Sequence, residues 1–294
     1  MINRKEFEVL MAILEENNTQ RALADRTGYS VGTVNKTIKE LTEKGLLKDK
    51  KLTEKAICEL EPYRVKRAIF LAAGFGSRLV PITLNTPKPL VRVNGKRIIE
   101  SLLDAVVKAE IPEIIIVRGY LGEQFDQLVK LYPQIEFIEN KIYNESNNIS
   151  SAIAVKDLFE NAYVLESDLL LKNPKLIRKY EYQTNFLGIP VEVTDDWCFY
   201  TDGSGIITKQ AVGGQNCHQM VGVSYWDKAD GQKLCKDLQE IFDSPGGKER
   251  YWEQTALEYK KENYKVLVRE CKKDDIVEID TFNELKQIDK SYDV

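Results

Sequence analysis

Arg78 and Lys88, ten positions apart, follow a glycine-containing turn, and two distant aspartates, Asp168 and Asp280, each end a short apolar run. The turn lies in AIFLAAGFGSRLVPITLNTPKPLV, which starts at Ala68. Leu71, Ala72, Ala73, Gly74, Gly76 and Ser77 form a turn nearly free of bulk, so backbone N–H groups can approach an anion closely. Arg78 can fork onto phosphate oxygens, and Lys88, fixed between Pro87 and Pro89, adds a second cation. Together they can hold a triphosphate, and carboxylates delivered to the same place can hold the divalent cation that accompanies one. No GKS or GKT follows the glycines, which excludes a P-loop, and Leu79 stands where G-x-G-x-x-G needs its third glycine. Read alone, the glycines also suit an ordinary strand-to-loop turn with solvated Arg and Lys.

The longer string, LAAGxGSRLxPxTxxxPKPL, resembles the signature of nucleotidyltransferases that attach a nucleoside monophosphate to a phosphorylated small molecule. The match covers Gly74, Gly76, Arg78, Pro81, Thr83, Pro87 and Lys88. The resemblance implies that Arg78, Lys88 and Asp168 are catalytic and that Asp168 and Asp280, at places matching family aspartates, hold Mg²⁺. On the residues alone, Asp168 can instead cap a turn at the strand end, and Asp280 can cap the last helix. Glu166 stands where many relatives have aspartate, and its part as ligand or support stays open.

The segment KIYNESNNISSAIAV is similar to the Tyr-x-x-x-Asn-Asn-x-x-Ser region of bacterial phosphocholine cytidylyltransferases. That resemblance implies contacts from Asn147, Asn148 and Ser151 to the base or ribose, with Gly119 and Tyr120 at another strand end pointing the same way. Downstream, aromatic and acidic residues alternate: Asp196, Trp197 and Tyr200, then Tyr225 and Trp226, then Tyr251, Trp252 and Glu253. A quaternary ammonium has no N–H to donate and is recognised by aromatic faces and nearby carboxylates. These residues form either such a cage or a small core. The resemblance spans residues 66–294 and implies transfer of CMP from CTP to phosphocholine, giving CDP-choline and pyrophosphate. Phosphoethanolamine and 2-aminoethylphosphonate stay open as acceptors, and Lys209 is a candidate for the acceptor phosphate. His218, the single histidine, has no serine or cysteine constellation around it, so catalysis rests on metal and electrostatic effects.

The elements that must position these groups alternate. Strands are expected over 68–71, 113–117, 135–138, 163–165 and 276–279, with helices over 98–109 and 123–131. This is an α/β pattern: a Rossmann-like, mostly parallel mixed sheet with its ligands at the carboxyl ends of the strands. Before it, residues 1–63 read as a winged helix-turn-helix, with residues 64–294 as the nucleotidyltransferase domain. Apolar spacing predicts a helix over 5–17. Thr19 and Ser30 open two more helices, the third carrying Val31, Val34, Ile38 and Leu41 on one face. A basic wing is expected over 48–53. Ser30, Thr33, Asn35, Lys36 and Lys39 are the candidates to face a DNA groove.

Charge tempers that reading. Through Val65 there are twelve Lys or Arg against eleven Asp or Glu, whereas dedicated DNA readers are strongly basic. A regulatory or dimerising appendage is the alternative. Over the whole chain the net charge of −4 excludes a general nucleic-acid coat. Five scattered cysteines without a C-x-x-C pair argue against zinc or redox chemistry. With no signal-peptide pattern and no membrane-length apolar run, a cytoplasmic location is expected. A regulator that only senses a nucleotide is the second functional reading, opposed by the intact set of Arg78, Lys88, Asp168 and Asp280.

Overall fold

Polar residues one step ahead of each apolar period set the first helix starts. The computed structural model describes residues 2–15 and 19–293. Helix α1 (Arg4–Leu14) opens with a reciprocal cap, Glu6 N–H donating to Asn3 and Asn3 N–H to Glu6, both at 3.0 Å. The expected extension over Glu16 and Asn17 lies outside the described residues. Thr19 caps α2 (Gln20–Thr27), which ends at Gly28 with φ 71°, and Ser30 caps α3 (Val31–Glu43). Phe7, Leu10, Leu23, Val34 and Leu41 share one core. Val31 is a correction: as the first helical residue it is 41% exposed, and the buried stripe begins at Val34.

The wing forms as β1 (Leu47–Lys48) and β2 (Lys51–Leu52), joined through Asp49 and Lys50 at φ 50° and 59°. Two successive left-handed residues make the mirror-type turn whose twist suits a tight hairpin. Helix α4 (Glu54–Leu60) follows, capped by Thr53. This unit comprises Met1–Arg64 together with Tyr180–Tyr182. Tyr63 stacks on Tyr182 at 5.2 Å, both rings tilt against Phe7, and Glu181 N–H donates to the Tyr63 carbonyl at 2.9 Å. A division drawn in sequence order at residue 63 misses this later contribution.

The other unit comprises Val65–Lys179 and Gln183–Val294. Its elements run β3 (Arg67–Ala72), β4 (Arg92–Val93), β5 (Lys96–Arg97), α5 (Ile98–Lys108), β6 (Glu113–Arg118), β7 (Ile135–Glu139), α6 (Ile149–Ala154), β8 (Ala162–Glu166) and β9 (Leu169–Leu171). There follow β10 (Asn185–Thr201), β11 (Ile207–Trp226), α7 (Lys228–Asp243), β12 (Leu267–Glu270), β13 (Ile276–Glu278) and α8 (Phe282–Ile288). The sheet order is β12-β10-β11-β8-β3-β6-β7. Strands β7, β6, β3 and β8 are parallel, β11 runs antiparallel to both β8 and β10, and β12 is parallel to β10. Alternate residues feed two cores: Phe70, Ile114 and Ile116 on one face, Ile69, Ile115 and Val117 on the other.

Two expectations need correcting. Gly122–Lys130 is a 3₁₀ run rather than an α-helix; Phe125 and Leu128, three apart, are its buried side chains, which is the 3₁₀ period. Strand β13 does not enter the main sheet. It pairs antiparallel with β9, Glu278 opposite Leu169, in a separate two-stranded ribbon. A small core of Leu79, Val91, Ile98, Ile279 and Leu285 binds the glycine loop to this ribbon and to α8. Among the described residues, no helix is long and apolar enough to cross a membrane.

Candidate active site

Strand β3 ends in the glycine loop, and the loop forms one wall of a cleft of about 540 Å³. Leu71, Ala72, Ala73, Gly74, Gly76 and Ser77 all line it, with Arg78 and Lys88 beside them. Gly76 has φ 64°, and a Cβ there would meet Lys88 Cβ at 3.0 Å and Thr83 Cγ2 at 3.2 Å. The glycine is thus required twice, by conformation and by the close approach of the lysine stem.

Lys88 is nearly buried, and its ammonium donates to Asp168 Oδ2 at 2.7 Å and Asp280 Oδ1 at 2.9 Å. Burial opposes the charge, yet the two carboxylates hold the ammonium above its ordinary value. Arg78 reaches the same Asp280 oxygen at 2.9 Å, with its side chain 66% exposed. The two aspartates expected to share a metal therefore meet at one lysine, and the two cations expected at a triphosphate are already paired with them. All four groups converge across 200 residues of chain because the β9–β13 ribbon sets Asp280 beside Asp168.

A second acidic set sits against this one. Ligand atoms of Glu166, Asp168 and Glu278 lie within 4.8 Å of one another, and Asp168 Oδ1 is buried with no hydrogen-bond partner among the described residues. Burial, then Asp168, Glu278 and Glu253, raise Glu166 well above the usual carboxylate range. Burial, then Asp168 and Asp280, push Glu278 up to about 8. Crowded carboxylates, one of them with a buried oxygen that lacks a hydrogen bond, are a fitting set for a hard divalent cation such as Mg²⁺. Glu278 escaped the sequence reading, although Glu278-x-Asp280 repeats Glu166-x-Asp168: in each the glutamate is the last residue of a strand and the aspartate lies two positions on, in the segment that follows.

Opposite the loop, Asn147, Asn148, Ser151, Asp196, Trp197, Tyr251 and Glu253 line the cleft. The asparagines face inward protein partners. Asn147 Nδ2 donates to the Glu249 carbonyl at 3.2 Å, and Asn148 Oδ1 accepts from Trp252 N–H at 3.0 Å, so both fix the segment that presents Tyr251. Ser151 Oγ, with Ser150 Oγ, accepts from Asn140, another cleft residue without a sequence signal. Trp197 and Tyr251 meet edge to face at 5.5 Å. Glu253 is 2% exposed, its Oε2 has no hydrogen-bond partner among the described residues, and burial pushes its carboxyl up to about 7.

The other expected aromatics are elsewhere. Tyr225, Trp226 and Trp252 are at most 3% exposed; Trp226 packs on Phe186 and Trp252, so these rings are core. Tyr200 is outside the cleft lining, and so is Lys209, whose ammonium lies 5.6 Å from the Tyr200 ring centroid. Gly119 and Tyr120 do not line it either. A Cβ on Gly119 would strike the Tyr143 ring at 2.7 Å, so this glycine makes room for Tyr143, a cleft residue that opens the Tyr-x-x-x-Asn-Asn-x-x-Ser stretch and was given no role of its own there. His218 pairs with Glu270 at 3.0 Å, away from the cleft.

Comparison with known proteins agrees with this geometry. Residues 67–187 match the Nucleotidyl transferase family, and residues 2–51 match the MarR family. The 2-aminoethylphosphonate cytidylyltransferase of Lancefieldella rimae is 33% identical over 76% of this chain and 92% of that protein. The choline-phosphate cytidylyltransferase of Streptococcus pneumoniae is 31% identical over 76% of this chain and 97% of that protein. The solved CTP:phosphocholine cytidylyltransferase of Streptococcus pneumoniae superposes with a TM-score of 0.72 at 32% identity, over 78% of this chain and 99% of that one. With a glycine loop, two converging cations and paired carboxylates at one edge of a mixed sheet, the chain belongs to the nucleotidyl transferase family, in its cytidylyltransferase branch, behind a MarR-like winged-helix segment.

Proposed function

We propose that this protein transfers CMP from CTP to an acceptor that carries an anionic phosphate or phosphonate at one end and an ammonium at the other. The observation that carries the reading is the Lys88 ammonium, held between Asp168 and Asp280 at the mouth of the glycine loop. An acceptor oxygen attacks the α-phosphorus in line, the bond to the β-phosphate breaks, and its electron pair leaves on pyrophosphate. Arg78 and Lys88 exchange their aspartate partners for triphosphate oxygens and neutralise charge as it moves to the leaving group. Mg²⁺, which Asp168 would hold with Glu166 and Glu278, joined by Asp280 across Lys88 from Asp168, would supply further neutralisation on the triphosphate. The acceptor is already an anion at neutral pH, so no general base is required.

For the acceptor's cationic end, a primary amine such as that of 2-aminoethylphosphonate is the reading we favour. Among the described residues Glu253 Oε2 is buried without a donor, and an –NH₃⁺ supplies one where a quaternary ammonium does not. The 33% identity to a 2-aminoethylphosphonate cytidylyltransferase supports it. Phosphocholine is the second reading, favoured by the Trp197–Tyr251 pair, whose rings offer cation–π faces. One panel decides: pyrophosphate release from CTP and Mg²⁺ with 2-aminoethylphosphonate, phosphoethanolamine or phosphocholine. Absence of turnover with all three overturns the enzyme reading.

We further propose that the N-terminal unit binds DNA. Lys36, Lys39, Lys48, Lys50 and Lys51 are exposed on α3 and the wing. Lys36 and Lys39 lie 3.9 Å from Glu40 and Glu43, loose surface pairs that a phosphate can replace. Retention on a specific fragment in moderate salt supports this, and binding lost entirely on adding salt, whatever the sequence, counts against a specific site.

A further inference from the structure

The glycine loop runs from Gly74 to Leu90 through short 3₁₀ turns, and much of it is open to solvent: Phe75 is 46% and Leu84 53% exposed. Such a segment does not hold a triphosphate-shaped conformation by burial alone. Tyr120, at the end of β6, touches it at three points. Its N–H donates to the Ala73 carbonyl at 3.1 Å, and its ring lies 4.2 Å from that of Phe75. Its hydroxyl lies 2.9 Å from the Thr83 carbonyl and 3.1 Å from that of Leu84, a donor shared between the two. The contact is passed inward, because Thr83 is fully buried and its Oγ1 donates to the Gly76 carbonyl at 2.9 Å.

We infer that Tyr120 is a positioning residue, clamping the two arms of the glycine loop so that Ser77 and Arg78, which lie between the tethered points, are presented to the triphosphate. The consequence for kinetics rests on the cytidylyl-transfer reading above; the clamp itself does not. Tyr120 is outside the cleft lining, so it acts through the loop and not on the ligand. The loop is one wall of the cleft and the Tyr251 segment is another, so loosening it weakens CTP while leaving the acceptor end in place.

Tyr120→Phe removes the hydroxyl and keeps the ring on Phe75. Losing one hydrogen bond of this kind corresponds to about a three- to tenfold effect. The KM for CTP should rise by about that factor, with the KM for the acceptor changed less than about twofold. A merely structural lesion would move both together, and that result overturns the inference. Trypsin gives a readout independent of turnover, since Arg78 is exposed while Leu79 beside it is fully buried, and cutting between them requires the loop to open. Nucleotide-free Tyr120→Phe protein should be cut after Arg78 several-fold faster than the parent, and cleavage at the parent rate overturns the clamp. Thr83→Val, which removes only the link to Gly76, should accelerate the same cut. If no acceptor supports turnover in the parent protein, the enzyme reading fails while the cleavage result still decides on the clamp.

Discussion

Gly222 on β11 faces the carboxylate of Glu166 on β8: a Cβ in its place would lie 2.5 Å from Oε2 and 2.7 Å from both Cβ and Cδ of that side chain. Contact along the whole side chain cannot be relieved by swinging its tip, so Gly222→Ala must expel Glu166 from its place beside Asp168 and Glu278. Displacing a group that supports a cation site typically costs ten- to a hundredfold. We expect kcat/KM to fall by about that factor and the Mg²⁺ concentration for half-maximal rate to rise. An unchanged Mg²⁺ requirement would show that Glu166 plays no part in holding the cation.

Replacing Lys88 by Met tests the central ion cluster. The variant keeps the stem that packs on Gly76 and leaves Asp168 and Asp280 without their shared ammonium. Charged hydrogen bonds of this kind contribute about 1.5–3 kcal/mol, so the metal-free protein should melt earlier than the parent. Mg²⁺ should restore more stability to Lys88→Met than it adds to the parent, because the cation then meets Asp168 without its ammonium and Asp280 paired with Arg78 alone. Turnover should fall by about 10²–10³, the scale for removing one charge-stabilising donor. Melting curves with and without Mg²⁺ decide it, and equal Mg²⁺ effects in the two proteins refute the shared-site geometry.

The buried carboxyls set a pH dependence of stability. Glu253 titrates at about 7 and Glu278 at about 8 in the folded protein, both raised chiefly by burial, against an ordinary glutamate value near 4.3. Between those limits the folded chain binds more protons than the unfolded chain, so stability must fall as pH rises. The contribution is complete below about pH 4 and lost by about pH 8. Metal-free protein should therefore have a higher Tm at pH 5.5 than at pH 8. Glu253→Gln, which stays neutral, should flatten the slope. A Tm that climbs across this window would contradict the burial of these groups.

Local signals were the legible ones. The caps at Thr19 and Ser30, the glycine loop and the strand leading to Asp168 each depend on a few consecutive residues. The ribbon that carries Asp280 was not legible, because β13 finds its partner about 100 residues away and leaves the main sheet. Trp197 and Trp226 show the same limit within one residue type. Both adjoin an aspartate, yet Trp226 sits in regular register against Ala162 and is buried, whereas Trp197 follows a register shift between Thr194 and Trp197. A bulge re-aims side chains, and nothing in the local composition announces one.

Asn148 separates two assignments of the cleft's far wall. The family resemblance put its amide at the nucleotide, but its Oδ1 accepts at 3.0 Å from the N–H of Trp252, next to Glu253 in the chain. Asn148→Ala would leave that N–H unpaired and loosen the segment bearing Tyr251 and Glu253, the residues proposed to read the acceptor's ammonium. An unpaired buried donor costs about 1–3 kcal/mol, and freeing this segment should raise the acceptor KM about tenfold or more. The KM for CTP should stay near the parent value, since Asn148 has its partners on the acceptor side. Varying each substrate at saturating levels of the other measures the two separately. A rise confined to CTP would return Asn148 to the nucleotide and leave Tyr251 and Glu253 without a support that depends on it.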